Sequence, residues 1–328
     1  MITEIRYHNF RALKETTLKL SPFTLIVGPN GSGKSTAVRA LPTLEGAGSA
    51  NFMMLASVDA KSDPQAFVQL TVAFDDARTL ERTWVQDQQK QQNMVRGWQV
   101  VRPNAVAVPR SRVFALDSAS IAASTQIKPT SELSGNGGEL AGVLQDIRDQ
   151  HPEKFDELVD ELCRWLPDFD NLLFQTPQNG FKSISLRTRV GRHTIPAADL
   201  SQGSLFALAL LAIAYLPNPP EIVAIEEPDR GIHPRLLREI RDALYRLAYP
   251  ESISVDRKPV QVIATTHSPY LVDLFKDHPE EVVLAQKEGL HATLTRLTDQ
   301  PNCEEIIKDA QLGELWYSGI LGGVPAGS

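Results

Sequence analysis

Residues 28–36 read GPNGSGKST: Gly28 opens the stretch, Gly33, Lys34 and Ser35 complete the pattern G-x-x-x-x-G-K-[ST], and Thr36 follows. The apolar run FTLIV (23–27) stands before it, and helix formers from Lys34 to Leu41 run up to Pro42 behind it. A strand before and a helix after is the context in which this pattern has a mechanism. Glycines let backbone N–H groups turn inward onto phosphate oxygens. Lys34 brings a charge to the β- and γ-phosphates, and the Ser35 hydroxyl can ligate Mg²⁺. Asn30, Gly31, Ser32, Gly33 and Thr36 complete the expected nucleotide cradle. The stretch therefore places a phosphate-binding loop in an α/β fold.

Around this loop the chain has an ordinary composition. Its 328 residues are 42% hydrophobic and 22% charged, with a formal net charge of −7. That length suits one large α/β domain or a domain with an inserted lobe. The acidic balance argues against a free-standing nucleic-acid binder, and leaves room for a local basic patch or for DNA contact through a partner. The two cysteines, Cys163 and Cys303, read as inert thiols of a reducing cytoplasm. No apolar signal core opens the chain, and the longest apolar run, Leu205–Leu216, is shorter than the ~20 residues a bilayer requires. It reads as a buried helix.

Periodicity sets the elements. ITEIRYHNF, TLKL and FTLIVG read as strands; AFVQLTVAFDD, TLERTWVQD and GWQVVRP read as an antiparallel meander. RVFALD is a further buried strand, and the Ser-, Thr- and Gly-rich stretch 118–138 reads as a mobile connection. Two helices follow, the second starting at Pro152, then strands with turns at Asn179-Gly180 and Gly191. From Ser201 onward helices and strands alternate, which implies a parallel sheet with crossover helices.

Three further stretches carry chemistry. EIVAIEEP (221–228) is an apolar strand ending in two carboxylates. Beside a phosphate loop, Glu226 suits the Mg²⁺-side acid and Glu227 the group that polarises the attacking water. QVIATTHSPYL (261–271) is a second apolar strand that ends at His267, a residue able to hydrogen-bond a γ-phosphate. LSQGSLFALAL (200–210) places Ser201 as an N-cap and Gly203 in the first turn of an apolar helix, whose free N–H groups suit a phosphate. Taken alone, this last stretch reads more readily as an ordinary capped core helix.

The order phosphate loop, LSQGS, IVAIEEP, TTHSP resembles the ATP-binding-cassette ATPase family, in which these are the Walker A, signature, Walker B and H-loop motifs. The opening ITEIRYHNFRAL looks like the start of the RecF/SMC-like branch. EEPDRGIHP followed by TTHSPYLVD is similar to the compact AAA-type ATPases of the branch that includes the overcoming-lysogenization-defect (OLD) proteins. The resemblance implies an α/β P-loop NTPase of ABC-ATPase head type, with a mixed, mainly parallel sheet core, an antiparallel β subdomain and a small helical insertion. Within a single head over 1–328 it places the β subdomain at 60–117, a helical lobe at 130–170 and the signature, Walker B and H-loop half at 200–300. Three features depart from the family pattern. The signature reads Ser-Gln-Gly-Ser where transporters have Ser-Gly-Gly-Gln, Glu226 stands where Asp is usual, and no Q-loop glutamine is assigned, Gln126 included.

Between Ser35 and Ser201 there are no sustained heptads, which excludes a long-armed coiled-coil ATPase. About sixty residues follow His267, fewer than a fused nuclease domain needs. The closing LGELWYSGILGG (312–323) reads either as a tail docked on its own domain or as a partner-docking segment. The expectation is a cytoplasmic ATPase with catalytic Lys34, Glu227 and His267. Ser35 and Glu226 hold Mg²⁺, and Ser201 and Gly203 act across a head-to-head homodimer. By resemblance, its partner is a separately encoded nuclease-like effector, with possible DNA contact through the complex, no membrane, and a role in DNA repair or defence against foreign DNA. A nucleotide-gated scaffold with little turnover is the second class of reading, and a transporter motor subunit the third.

Overall fold

The segment that leads into the glycine loop is a hairpin whose inward residues form part of the core. In the computed structural model, residues 1–45, 55–62, 66–86, 98–101, 107–253, 257–301, 303–308 and 310–322 are described. Ile2–Phe10 (β1) and Leu13–Lys19 (β2) pair antiparallel. Ile2, Ile5, Tyr7 and Phe10 are buried; a register shift between Ile2 and Glu4 displaces the simple alternation. Phe23–Val27 (β3) is buried at all five positions, as a central strand covered on both faces requires.

After the loop come Lys34–Val38 (α1), Leu41–Glu45 (α2) and Val58–Ser62 (α3). The helical run expected to stop at Pro42 instead breaks at Arg39, and Pro42 falls in the first turn of α2, where its fixed φ is tolerated. Phe67–Phe74 (β4), Thr79–Gln86 (β5) and Trp98–Val101 (β6) form the expected meander. They continue the first hairpin into one antiparallel sheet of order β2-β1-β4-β5-β6. Gly97, Arg102 and Pro103 of the third expected run lie outside the described residues. Ser111–Phe114 (β7) ends this part of the chain.

Residues 114–260 form a compact unit of their own, with Met1–Val113 and Gln261–Ser328 making the other. The boundary at 260 falls inside the 200–300 segment of the motif-based division. The stretch 118–138, expected to be a mobile connection, is folded. It holds Ser118–Ala122 (α4), capped by the Asp117 carboxylate on the Ser120 N–H at 2.8 Å, and Thr125–Gln126 (β8). Hydrogen bonds from Ser120 hold the Asp117 carboxyl below its ordinary range. Backbone bonds from Ala115 to Gly135 and from Asp117 to Asn136 fasten the rest. Ser and Gly supply caps and turns here, so composition alone misreads the segment.

Leu140–Gln150 (α5) and Pro152–Trp165 (α6) follow as expected, then Phe169–Gln175 (β9), Phe181–Thr188 (β10) and Thr194–Pro196 (β11). β10 is central, antiparallel to β9, β11 and β8. Gln202–Ala214 (α7) is buried from Leu205 to Ala214, the burial expected of a helix apolar on all sides. Each fully covered leucine there contributes about 1.5–3 kcal/mol. Ile222–Glu226 (β12) and Leu237–Ala248 (α8) complete the unit. The buried Glu161 carboxylate of α6 accepts the Tyr215 hydroxyl at 2.7 Å and the Arg246 guanidinium at 2.6 Å, tying α6, the end of α7 and α8 together. Burial and the Glu161 contact push the Tyr215 phenol well above its ordinary value.

The chain then returns to the first unit with Gln261–Thr266 (β13), Pro269–Asp273 (α9), Val282–Glu288 (β14), His291–Arg296 (β15), Cys303–Lys308 (α10) and Leu312–Tyr317 (α11). β3 lies between β13 and β14, parallel to both, and β14 turns back into β15. This is the parallel sheet that the alternation after Ser201 implied. The closing stretch docks on its own unit through Leu312, Leu315, Trp316 and Leu321, all buried; Gly323 lies outside the described residues. Neither cysteine is in a disulfide. Among the described residues no helix is long and apolar enough to cross a membrane.

Candidate functional site

The glycine loop leaves the C-terminal end of β3 and closes on itself. Gly28 donates its N–H to the Thr266 carbonyl at 3.3 Å, so the loop starts beside the end of β13. A Cβ at Gly28 would stand 2.3 Å from the Ala285 carbonyl of β14, a distance only a glycine permits. Gly31 and Gly33 take φ of 77° and 92°, and a Cβ at Gly33 would meet Ala292 of β15 at 2.8 Å. The loop is thus floored by the β14–β15 hairpin. Its lip, Asn30 and Gly31, is exposed.

Lys34, 7% exposed, donates its Nζ to the Gly28 and Pro29 carbonyls at 2.6 and 2.9 Å. These bonds hold the ammonium within the loop. Ser32 is 1% exposed, and its Oγ has no hydrogen-bond partner among the described residues. A buried hydroxyl left in this way costs about 1–3 kcal/mol, an expense that an oxygen-rich ligand relieves. Ser35 and Thr36 are half-buried in the first turn of α1.

His267 follows β13 directly and is exposed. The register pairs Thr266 with Val27, so His267 and Gly28 leave adjacent parallel strands at the same end. The structure therefore brings these two elements together, at the strand ends where α/β sheets bind ligands.

In the other unit, Glu226 is the last residue of β12 and Glu227 begins the turn with φ 49°; both are half-buried. The turn closes through the Arg230 N–H on the Glu227 carbonyl at 3.0 Å. Arg230 reaches the Leu116 carbonyl and lies 5.1 Å from the centre of the Phe206 ring of α7. Ser201 caps α7, its Oγ accepting the Ser204 N–H at 3.1 Å. Gly203, in the first turn, would carry a Cβ 2.6 Å from the Gly231 carbonyl. Ser201, Gly203 and the turn after Glu227 thus form one packed group. Gln126 sits exposed on β8, paired with Phe181 of β10.

Sequence reading passed over three supports. Tyr7, 1% exposed on β1, donates its hydroxyl to the Ala37 carbonyl of α1 at 3.1 Å, and burial pushes its phenol far up. Its place on the inward side of β1 is the only signal it offers. Arg11, with φ 52°, is half-buried, and burial followed by the nearby Arg39 holds its guanidinium below the usual arginine range. The Asn-Phe-Arg stretch marks Arg11, but nothing local brings Arg39 to it. The third is the β14–β15 floor, set by long-range pairing alone.

Residues 110–273, half of the chain, match the family described as "AAA domain, putative AbiEii toxin, Type IV TA system", and residues 1–96 match "AAA ATPase domain". The chain is 24% identical to an OLD nuclease of Thermus scotoductus (strain ATCC 700910 / SA-01), over 84% of its own length and 60% of that protein. It is 21% identical to the Old nuclease of Escherichia phage P2, over 94% of its length and 63% of that protein. It therefore spans under two thirds of the curated relatives it matches. Its fold is similar to an SMC head bound to the C-winged helix domain of ScpA, with a TM-score of 0.59 at 14% identity over 90% of this chain and 96% of that one. A second Smc head, bound to the C-terminal domain of ScpA derived from Pyrococcus furiosus, gives 0.57 at 13% identity over 90% and 95%.

Proposed function

The chain belongs to the AAA domain family, and on that premise we propose that it binds MgATP, closes head to head with a second copy, and hydrolyses the nucleotide to control a partner effector. The observation that carries this reading is the Gly28–Thr36 loop. Its glycines turn the backbone, Lys34 is held within it, and the buried Ser32 hydroxyl has no partner among the described residues. Lys34 neutralises the β- and γ-phosphates. Ser35 and Glu226 offer the hard oxygen donors that suit Mg²⁺. Glu227 orients the attacking water, and His267 contacts the γ-phosphate. Ser201 and Gly203 act on the nucleotide of the second copy, an arrangement that a two-fold dimer makes twice.

The curated relatives are named nucleases and are longer than this chain. That supports a nuclease-like effector as what the ATPase controls, in DNA repair or in defence against foreign DNA, with any DNA contact made through the complex.

The test is Mg²⁺-dependent phosphate release by the wild-type protein, by Lys34→Ala, by Ser201→Arg, and by a mixture of the two variants. Wild type should turn over and each variant alone should not. A mixed dimer joins the intact phosphate loop of one chain to the intact signature of the other, so mixing should restore part of the activity. Normal hydrolysis by Ser201→Arg alone would return LSQGS to a capped core helix. Silence from wild-type protein that binds ATP would leave the scaffold reading.

A further inference from the structure

The helix α11 lies against the short helix that follows His267, and the contact is made by backbone. Gly313, the second residue of α11, is buried. A Cβ there would stand 2.3 Å from the Pro269 carbonyl oxygen and 2.8 Å from its carbon. No side chain fits that gap, and the obstacle is a peptide group, which cannot rotate aside as a flexible side chain can. The Gly313 N–H donates to the Asp273 carboxylate of α9 at 2.7 Å. In the first turn of a helix this N–H has no intrahelical acceptor, so Asp273 supplies one.

Leu271, Val272 and Phe275 anchor α9 from below, with the Phe275 ring 5.4 Å from that of Phe23 on β3. On the strand side, the Ser268 N–H bonds the Thr266 hydroxyl at 2.9 Å. His267 is therefore held between a fixed strand end and a helix whose first peptide is pressed by Gly313.

We propose that α11 is a positioning element for His267: Gly313 and Asp273 fix α9, and through Pro269, two residues on, they set the direction in which the imidazole leaves β13. The functional half of this inference rests on the reading of His267 as a γ-phosphate contact. Asp273 and Gly313 touch no substrate in this scheme and act through the histidine alone.

The experiment uses the full chain and two readouts. The first is the imidazole ¹⁵N–¹H spectrum, where His267→Gln identifies the His267 signals among those of the seven histidines. Gly313→Ala and, more mildly, Asp273→Ala should shift the His267 signals and leave those of His151 and His193 in place. Asp273→Asn, which keeps an acceptor oxygen, should restore the wild-type position. The second readout is steady-state ATP hydrolysis. The two disruptive variants should lose about tenfold or more in kcat with KM within about twofold, because a misplaced group costs rate before affinity. Tyr317→Ser, on the exposed side of α11 (75% exposed), should change neither readout.

Folded Gly313→Ala and Asp273→Ala proteins with unshifted His267 signals would overturn the inference. So would shifted signals with an unchanged kcat. Shifted signals in a protein whose wild type releases no phosphate would keep the positioning role and defeat the hydrolysis reading.

Discussion

Two strands of this protein end in turns with positive φ, and they solve the problem differently. After β3 the left-handed positions are Gly31 and Gly33; after β12 the first is Glu227 at φ 49°. Glycine takes such a conformation freely, whereas a residue with a Cβ is strained by about 1–3 kcal/mol. In the first turn the backbone itself is the proposed ligand, and side chains would obstruct it. In the second the proposed role calls for a carboxylate, and on that reading the strain is retained for the group it carries. The contrast separates a loop that binds with N–H groups from a loop that presents a side chain.

The sharpest way to break the comparison is Glu227→Gln. Shape and backbone persist while the carboxylate is lost, so ATP should bind and turn over about 10²–10⁴-fold more slowly, the usual worth of a positioned base. Bound, unhydrolysed ATP in a filter or mass assay checks it; a wild-type rate would remove Glu227 from the chemistry. Next is Lys34→Ala, which removes a charge-assisted contact worth about 1.5–3 kcal/mol and should weaken ATP binding roughly ten- to a hundredfold by titration calorimetry. Equal affinity in a folded variant would count against the loop as the phosphate site.

Gly33→Ala should lower stability by about 1–3 kcal/mol in denaturant unfolding, from positive φ and from the contact with Ala292. The smallest and most diagnostic change is Glu227→Gly. It should leave stability level or raise it by up to about 1 kcal/mol, since relief of the left-handed strain competes with a looser unfolded chain, while hydrolysis is lost. A clear loss of stability would mean that the Glu227 side chain supports the fold, and the contrast between the two turns would fail.

Much of this was legible before the structure. β3, β12 and β13 are short apolar runs between turn signals, and α7 is apolar on every side, so local pattern sufficed. Ser201 as an N-cap follows from its place before an apolar helix. What escaped was whatever depends on residues far apart. The 118–138 stretch is rich in residues that usually mark loops, yet Asp117, Gly135 and Asn136 fasten it through specific bonds. The closeness of Gly28 to Ala285, of Gly203 to Gly231 and of Gly313 to Pro269 leaves only a glycine in the sequence, without a partner's name. Motif spacing carried the candidate site, while the supports beneath it belong to tertiary structure.

The pairing of β3 has a consequence for how the protein is made. Its described neighbours are β13 and β14, and Gln261 bonds both the N–H and the carbonyl of Ile2 across 259 positions. Residues 114–260 are contiguous and can condense as they leave the ribosome, whereas the strand carrying the nucleotide loop, made earlier, must wait for Val282, Val283 and Leu284. Nucleotide binding is then acquired long after the loop itself has been made. A truncated product that stops short of β14 would leave one edge of this apolar strand unpaired, and a chaperone would meet it as a client before any ATP could.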